Sequence, residues 1–218
     1  VQAAIFIIVL IESVIGARVI PMFTRNGAPG STPVASPKRA LVAVACMAAA
    51  AIAWLTGAPA WLTAPLALCA AGVSLANLLA WQPQRTVRVP LLWILHLSYA
   101  WIGIGFALLA GASLGLLPAS AAFHALTVGS MAGLIIGMMT RTTLGHTGRA
   151  LKGGRAEAAM YWLIQLGALA RLLAAIGPVS LAMPLLLAAG ACWSLAFGLY
   201  ACVYAPYLWR ARVDGREG

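Results

Sequence analysis

Charge is what this sequence has least of. Four of its 218 residues are Asp or Glu and fourteen are Lys or Arg, 8% together, against 63% hydrophobic residues. A mean hydropathy of +0.95 excludes a soluble domain of this length and identifies an all-α polytopic membrane protein. The strand alternation of a membrane barrel is absent as well, which leaves helices as the spanning element. Cysteine is sparse: Cys46, Cys69, Cys192 and Cys202 stand apart with no CxxC spacing, so neither a disulfide framework nor a thiolate metal site is indicated. No Walker loop, HExxH, GxSxG or dinucleotide fingerprint is present, and soluble-enzyme chemistry has no foothold. There is no initial Met and no basic segment before the first apolar run, so Val1 does not open a signal peptide. The sequence reads as the C-terminal part of a longer chain, whose missing N-terminal helices would be its nearest partners.

What is there is a series of apolar runs, each near the ~20 residues a bilayer requires. They predict seven helices at about 1–23, 39–56, 60–81, 90–110, 119–140, 156–176 and 181–205. Together they form a single transmembrane domain over 1–209, followed by a short basic tail at 210–218. The formal net charge of +10 would suggest nucleic acid in a soluble protein, but the positions of the cations point to the lipid bilayer instead. Arg25, Lys38 and Arg39, then Arg85 and Arg88, then Arg141, Arg149, Lys152 and Arg155, then Arg210, Arg212 and Arg216 flank alternate connections, while those near 57–59, 111–118 and 177–180 hold no cation. The positive-inside rule places the basic connections and the C-terminus in the cytoplasm and the start of the first span outside.

The stretch from His124 to Arg149, HALTVGSMAGLIIGMMTRTTLGHTGR, concentrates groups that hydrocarbon should exclude. On helical angles, Gly129, Gly133 and Gly137 share one face, where small-xxx-small spacing lets a neighbouring helix approach closely; His124, Met131, Ile135 and Met138 lie nearly opposite. The first span carries Glu12 near its middle and Arg18 nearer its inner end, about 240° apart around the helix and therefore not an i, i+4 pair. A charge at that depth costs at least ~2.5–3.5 kcal/mol on insertion scales, so Glu12 is protonated, paired across helices or facing a cavity. Arg171, a turn from its helix end, is placed to snorkel.

Imidazole binds haem iron and copper, and Met serves as a soft ligand to either; a lone histidine in a span also serves by hydrogen-bonding a neighbouring helix. His96 lies roughly 9 Å and His124 roughly 8 Å from opposite surfaces, which separates them by roughly 13 Å in depth. His146, in the loop beyond Arg141, is on the side of His96, which makes His96 with His146 the better pair for one metal. The same loop, with Arg141, Arg149 and its threonines, has donors for an anion such as a haem propionate.

Two strings carry a family resemblance. The segment Gly16-Ala17-Arg18-Val19-Ile20-Pro21-Met22-Phe23-Thr24-Arg25-Asn26, and the run from His124 to Gly129 with Gly137 to Arg149, resemble the signatures of the NnrS family, and LWILHLSYAW around His96 agrees with them. Ala17 stands where the family has a second glycine or arginine, and Met22 where an aromatic is common. The resemblance implies a bacterial inner-membrane protein containing haem (haem b) and copper and engaged in the response to nitric oxide and protection from nitrosative stress. It implies a chain about twice this length. It carries His96, His124 and His146 over as metal-ligand candidates, with Arg18, Arg141 and Arg149 beside the cofactor and nitric oxide or an iron-nitrosyl species as ligand. The alternative from the residues themselves is a multi-pass transporter of a small solute, or a proton-coupled permease, with Glu12, Arg18 and His96 along its path.

Overall fold

The computed structural model describes residues 1–215 and is all helical there. Among these residues seven helices are long and apolar enough to cross a membrane: α1 (Gln2–Gly27), α2 (Pro37–Leu55), α3 (Ala60–Ala80), α4 (Pro90–Ser113), α5 (Ala119–His146), α6 (Arg155–Ile176) and α7 (Val179–Leu208). The tail expected from residue 210 is described to Gly215, and Arg216 lies outside the described residues.

Helix starts follow proline chemistry. Pro37 and Pro90 occupy the first turns of α2 and α4, and Pro59, Pro118 and Pro178 stand just before α3, α5 and α7. At the first turn proline lacks only a donor that would be unpaired anyway. Helix ends run past the apolar limit because threonines fold their hydroxyls back on the preceding turn. Thr24 donates to Ile20 O (2.8 Å), Thr142 to Met138 O (2.8 Å) and Thr147 to Thr143 O (2.7 Å). A polar side chain bonded in this way needs no water, so the helix continues. The segment TRTTLGH is accordingly the last two turns of α5 rather than a loop, and His146 is its final residue, exposed. This corrects the loop expected there.

The centre of the bundle is α4, with fourteen buried residues, among them His96, Ser98, Tyr99 and Trp101. The glycine face of α5 lies on it. A Cβ added at Gly129 would fall 2.5 Å from the Trp101 ring and one at Gly137 3.0 Å from Leu95, while one at Gly133 would collide with Ser98 Oγ. Those three glycines therefore set how closely α4 and α5 approach, as the spacing predicts. Midway, residues Ala125–Met131 of α5 form a π-helical segment, a feature that concentrates at functional sites. Helices α6 and α7 form a peripheral hairpin, with Gly167 packed on Ala189 and Cys192. The tail turns back on the end of α5 through Val213 N–H to Thr147 O (3.2 Å), while Arg212 pairs with Asp214 (2.7 Å).

Candidate functional site

His96 projects from the second turn of α4 into the junction with α1 and is 3% exposed. Its Nε2 lies 2.8 Å from Thr24 Oγ1, and the same hydroxyl lies 2.8 Å from Ile20 O. A carbonyl only accepts, so the single threonine hydrogen goes to Ile20 O and the hydroxyl oxygen accepts from His96 Nε2–H. That fixes the tautomer. Nδ1 is left with a bare lone pair, buried and without a partner. A buried nitrogen in that condition costs free energy unless something occupies it.

Beside this ring is a cavity of about 430 Å³ lined by His96, Trp93, Leu97, Leu78, Val87 and Trp162 among others. Its walls are mostly apolar, with Gln84 and Thr86 among them. Trp93 stands edge-on to Tyr161 (5.7 Å between centroids) and tilted against Trp162 (5.0 Å); Tyr161 in turn bonds Thr140 of α5. A single nitrogen donor with its other N–H held by a hydroxyl, next to a largely apolar cavity, has the chemistry of a metal-ligating histidine with its orienting partner.

The other sequence-derived candidates lie elsewhere. His124 is half-buried on α5, within electrostatic reach of Arg171, and His146 is exposed at the far end of that helix. No group of three or more His, Cys, Asp or Glu side chains converges among the described residues. Arg141 lies over the Phe23 ring (3.7 Å), one residue from Thr24, and Arg149 over the Tyr207 ring (3.9 Å); both charges rest on aromatic faces. Arg18 is exposed and lines a groove of about 330 Å³ with Ser36 and Pro37 at the start of α2. Glu12 is half-buried and accepts from Ser130 Oγ (2.9 Å), a residue of the π-helical segment.

Several polar groups carry weight that their place in the sequence does not announce. Trp101 Nε1 donates to Gln165 Oε1 (2.7 Å), and Gln165 Nε2 donates to Ser98 Oγ (3.2 Å), tying α4 to α6. Glu157, buried on α6, accepts from Tyr204 Oη (2.7 Å) and from Gly154 N–H (2.6 Å), and Tyr200 lies 2.9 Å from Thr143. The only sequence cue to Glu157 is its rarity among so few acids.

A family model described as NnrS protein matches residues 1–212. No curated protein and no solved structure shows significant similarity to the chain.

Proposed function

This chain belongs to the NnrS family, and from that premise we propose that it is part of a haem-bearing protein of the bacterial inner membrane that acts in the response to nitric oxide. The observation that carries the reading is the unpartnered, buried Nδ1 of His96 beside an apolar cavity. The residues fit haem at one ligand position: His96 would hold the iron, Thr24 fixes the ring and its tautomer, and Trp93, Trp162, Leu78 and Val87 would pack against the macrocycle. Arg141, on Phe23 beside Thr24, is the arginine we assign to a haem propionate. Bound haem supplies an iron that takes nitric oxide as a ligand. Nitric oxide is neutral and lipid-soluble, so a hydrocarbon path through the helix bundle serves it better than a charged vestibule.

The residues do not fit copper in the same way. Copper needs donors that meet at one point, and among the described residues His96, His124 and His146 form no such group; no copper chemistry is assigned to them. The basic connections are assigned to the cytoplasmic face by the positive-inside rule. The transporter reading draws on Glu12 and its cavity. The test is a reduced-minus-oxidised optical spectrum of the purified protein, repeated with nitric oxide. A Soret band that shifts with nitric oxide supports the haem reading, and a colourless protein from haem-replete cells with substrate-dependent uptake supports the transporter.

A further inference from the structure

Glu12 and Ser130 play no part in the His96 site, yet Glu12, bonded from behind by the buried Ser130, is the polar group of a separate cavity of about 230 Å³ between α1, α4 and α5. The remaining lining is apolar: Ile8, Ile11, Ile15, Leu134, Ile135 and Met138 are among its walls. Ile8 is 44%, Ile11 52%, Ile15 52% and Ile135 50% exposed, so the cavity opens on the outer flank of the described bundle. Glu12 is ten residues into α1, about 15 Å along its axis, which is the middle of a ~30 Å hydrocarbon core. One carboxylate oxygen is taken by Ser130; the other has no hydrogen bond among the described residues.

The ligand this arrangement recognises is bounded by its chemistry. A metal cation needs several oxygen donors, and here there are two residues that could supply them. A phospholipid phosphate or a fatty-acid carboxylate belongs at the interface, not at mid-depth. The free carboxylate oxygen calls for a hydrogen-bond donor carried by a flat, lipid-soluble body. A cavity of about 150 Å³ holds benzene, so this one has room for a substituted six-membered ring. We propose that the Glu12 cavity binds the headgroup of a membrane-soluble hydroquinone, with a ring hydroxyl donating to Glu12 and the isoprenoid tail leaving past Ile8 and Ile135 into the bilayer. Gly16 forms part of the floor, where α1 already lies close on the Tyr99 ring: a Cβ there would fall 3.1 Å from it. The site is independent of His96 and stands whether or not the chain carries haem.

Five of the lining residues are isoleucines, Ile8, Ile11, Ile15, Ile20 and Ile135, and their methyl groups report occupancy directly. The experiment is methyl NMR of isoleucine-labelled protein in nanodiscs, titrated with decylubiquinol and separately with decylubiquinone. The expected result is saturable shifts confined to these five methyls. The quinone, which has no hydroxyl to donate, should bind at least about tenfold more weakly, and Glu12→Gln should weaken quinol binding by about tenfold. Ser130→Ala, which frees the carboxylate without removing it, should retain binding and checks that the fold tolerates change here. Uniform, unsaturable shifts across lipid-facing isoleucines, equal affinity for quinol and quinone, or indifference to Glu12→Gln would each overturn the assignment.

Discussion

Helices α4 and α7 are alike in the property by which membrane spans are recognised and unlike in everything else. Their most apolar windows have mean hydropathies of 1.7 and 1.8. Yet α4 has fourteen buried residues in 24, while α7 has three in 30: Ala189, Ala196 and Tyr204. In lipid, apolar surface gains little by leaving hydrocarbon for protein, so hydropathy does not say which helix is central. Small residues and paired polar groups do. Helix α4 receives the glycine face of α5 and holds Ser98, Tyr99, Trp101 and His96 in hydrogen bonds to α1 and α6. Helix α7 rests on a narrow seam and is tied near its C-terminal end by Tyr204 to Glu157 and Tyr200 to Thr143.

The comparison breaks most visibly at the glycines. Gly133→Leu forces a side chain into Ser98 and Gln165 and should prevent recovery of folded, monodisperse protein, since overpacking a tight site costs about 1–3 kcal/mol or more. Gly198→Leu on α7, where a Cβ meets nothing within 4 Å, should leave the melting temperature in detergent nearly unchanged. Equal losses in both would mean that α7 is packed as tightly as α4. A smaller effect should follow from Tyr204→Phe, which removes one of two donors to the buried Glu157 carboxylate at a cost of about 1–3 kcal/mol. Hydrogen exchange should rise along 179–208 and stay constant in α4, and a rise shared by both helices would show that α7 is not a separable unit. Leu187→Ala, at a position 67% exposed, should change stability by less than about 0.5 kcal/mol.

Helix starts were legible because proline marks them, and the glycine face of α5 because spacing alone decides which residues share a side. The ends were not, because a threonine that bonds its own backbone looks polar in a hydropathy profile yet continues the helix; His146 shifted from loop to helix for that reason. The π-helical segment that holds Ser130 leaves no trace in composition, since one wider turn changes no residue type. What no pattern could supply was the partner of His96. Thr24 is 72 positions away, and only the α1–α4 packing brings the hydroxyl to the ring and leaves Nδ1 bare.

The most direct test of the central claim is haem content per protein in His96→Ala beside wild type and His124→Ala, all purified in the same way from haem-replete cells. The account predicts that His96→Ala loses haem while His124→Ala retains it. Wild-type haem content with an unchanged spectrum in His96→Ala would contradict the assignment of His96 as the residue that holds the iron.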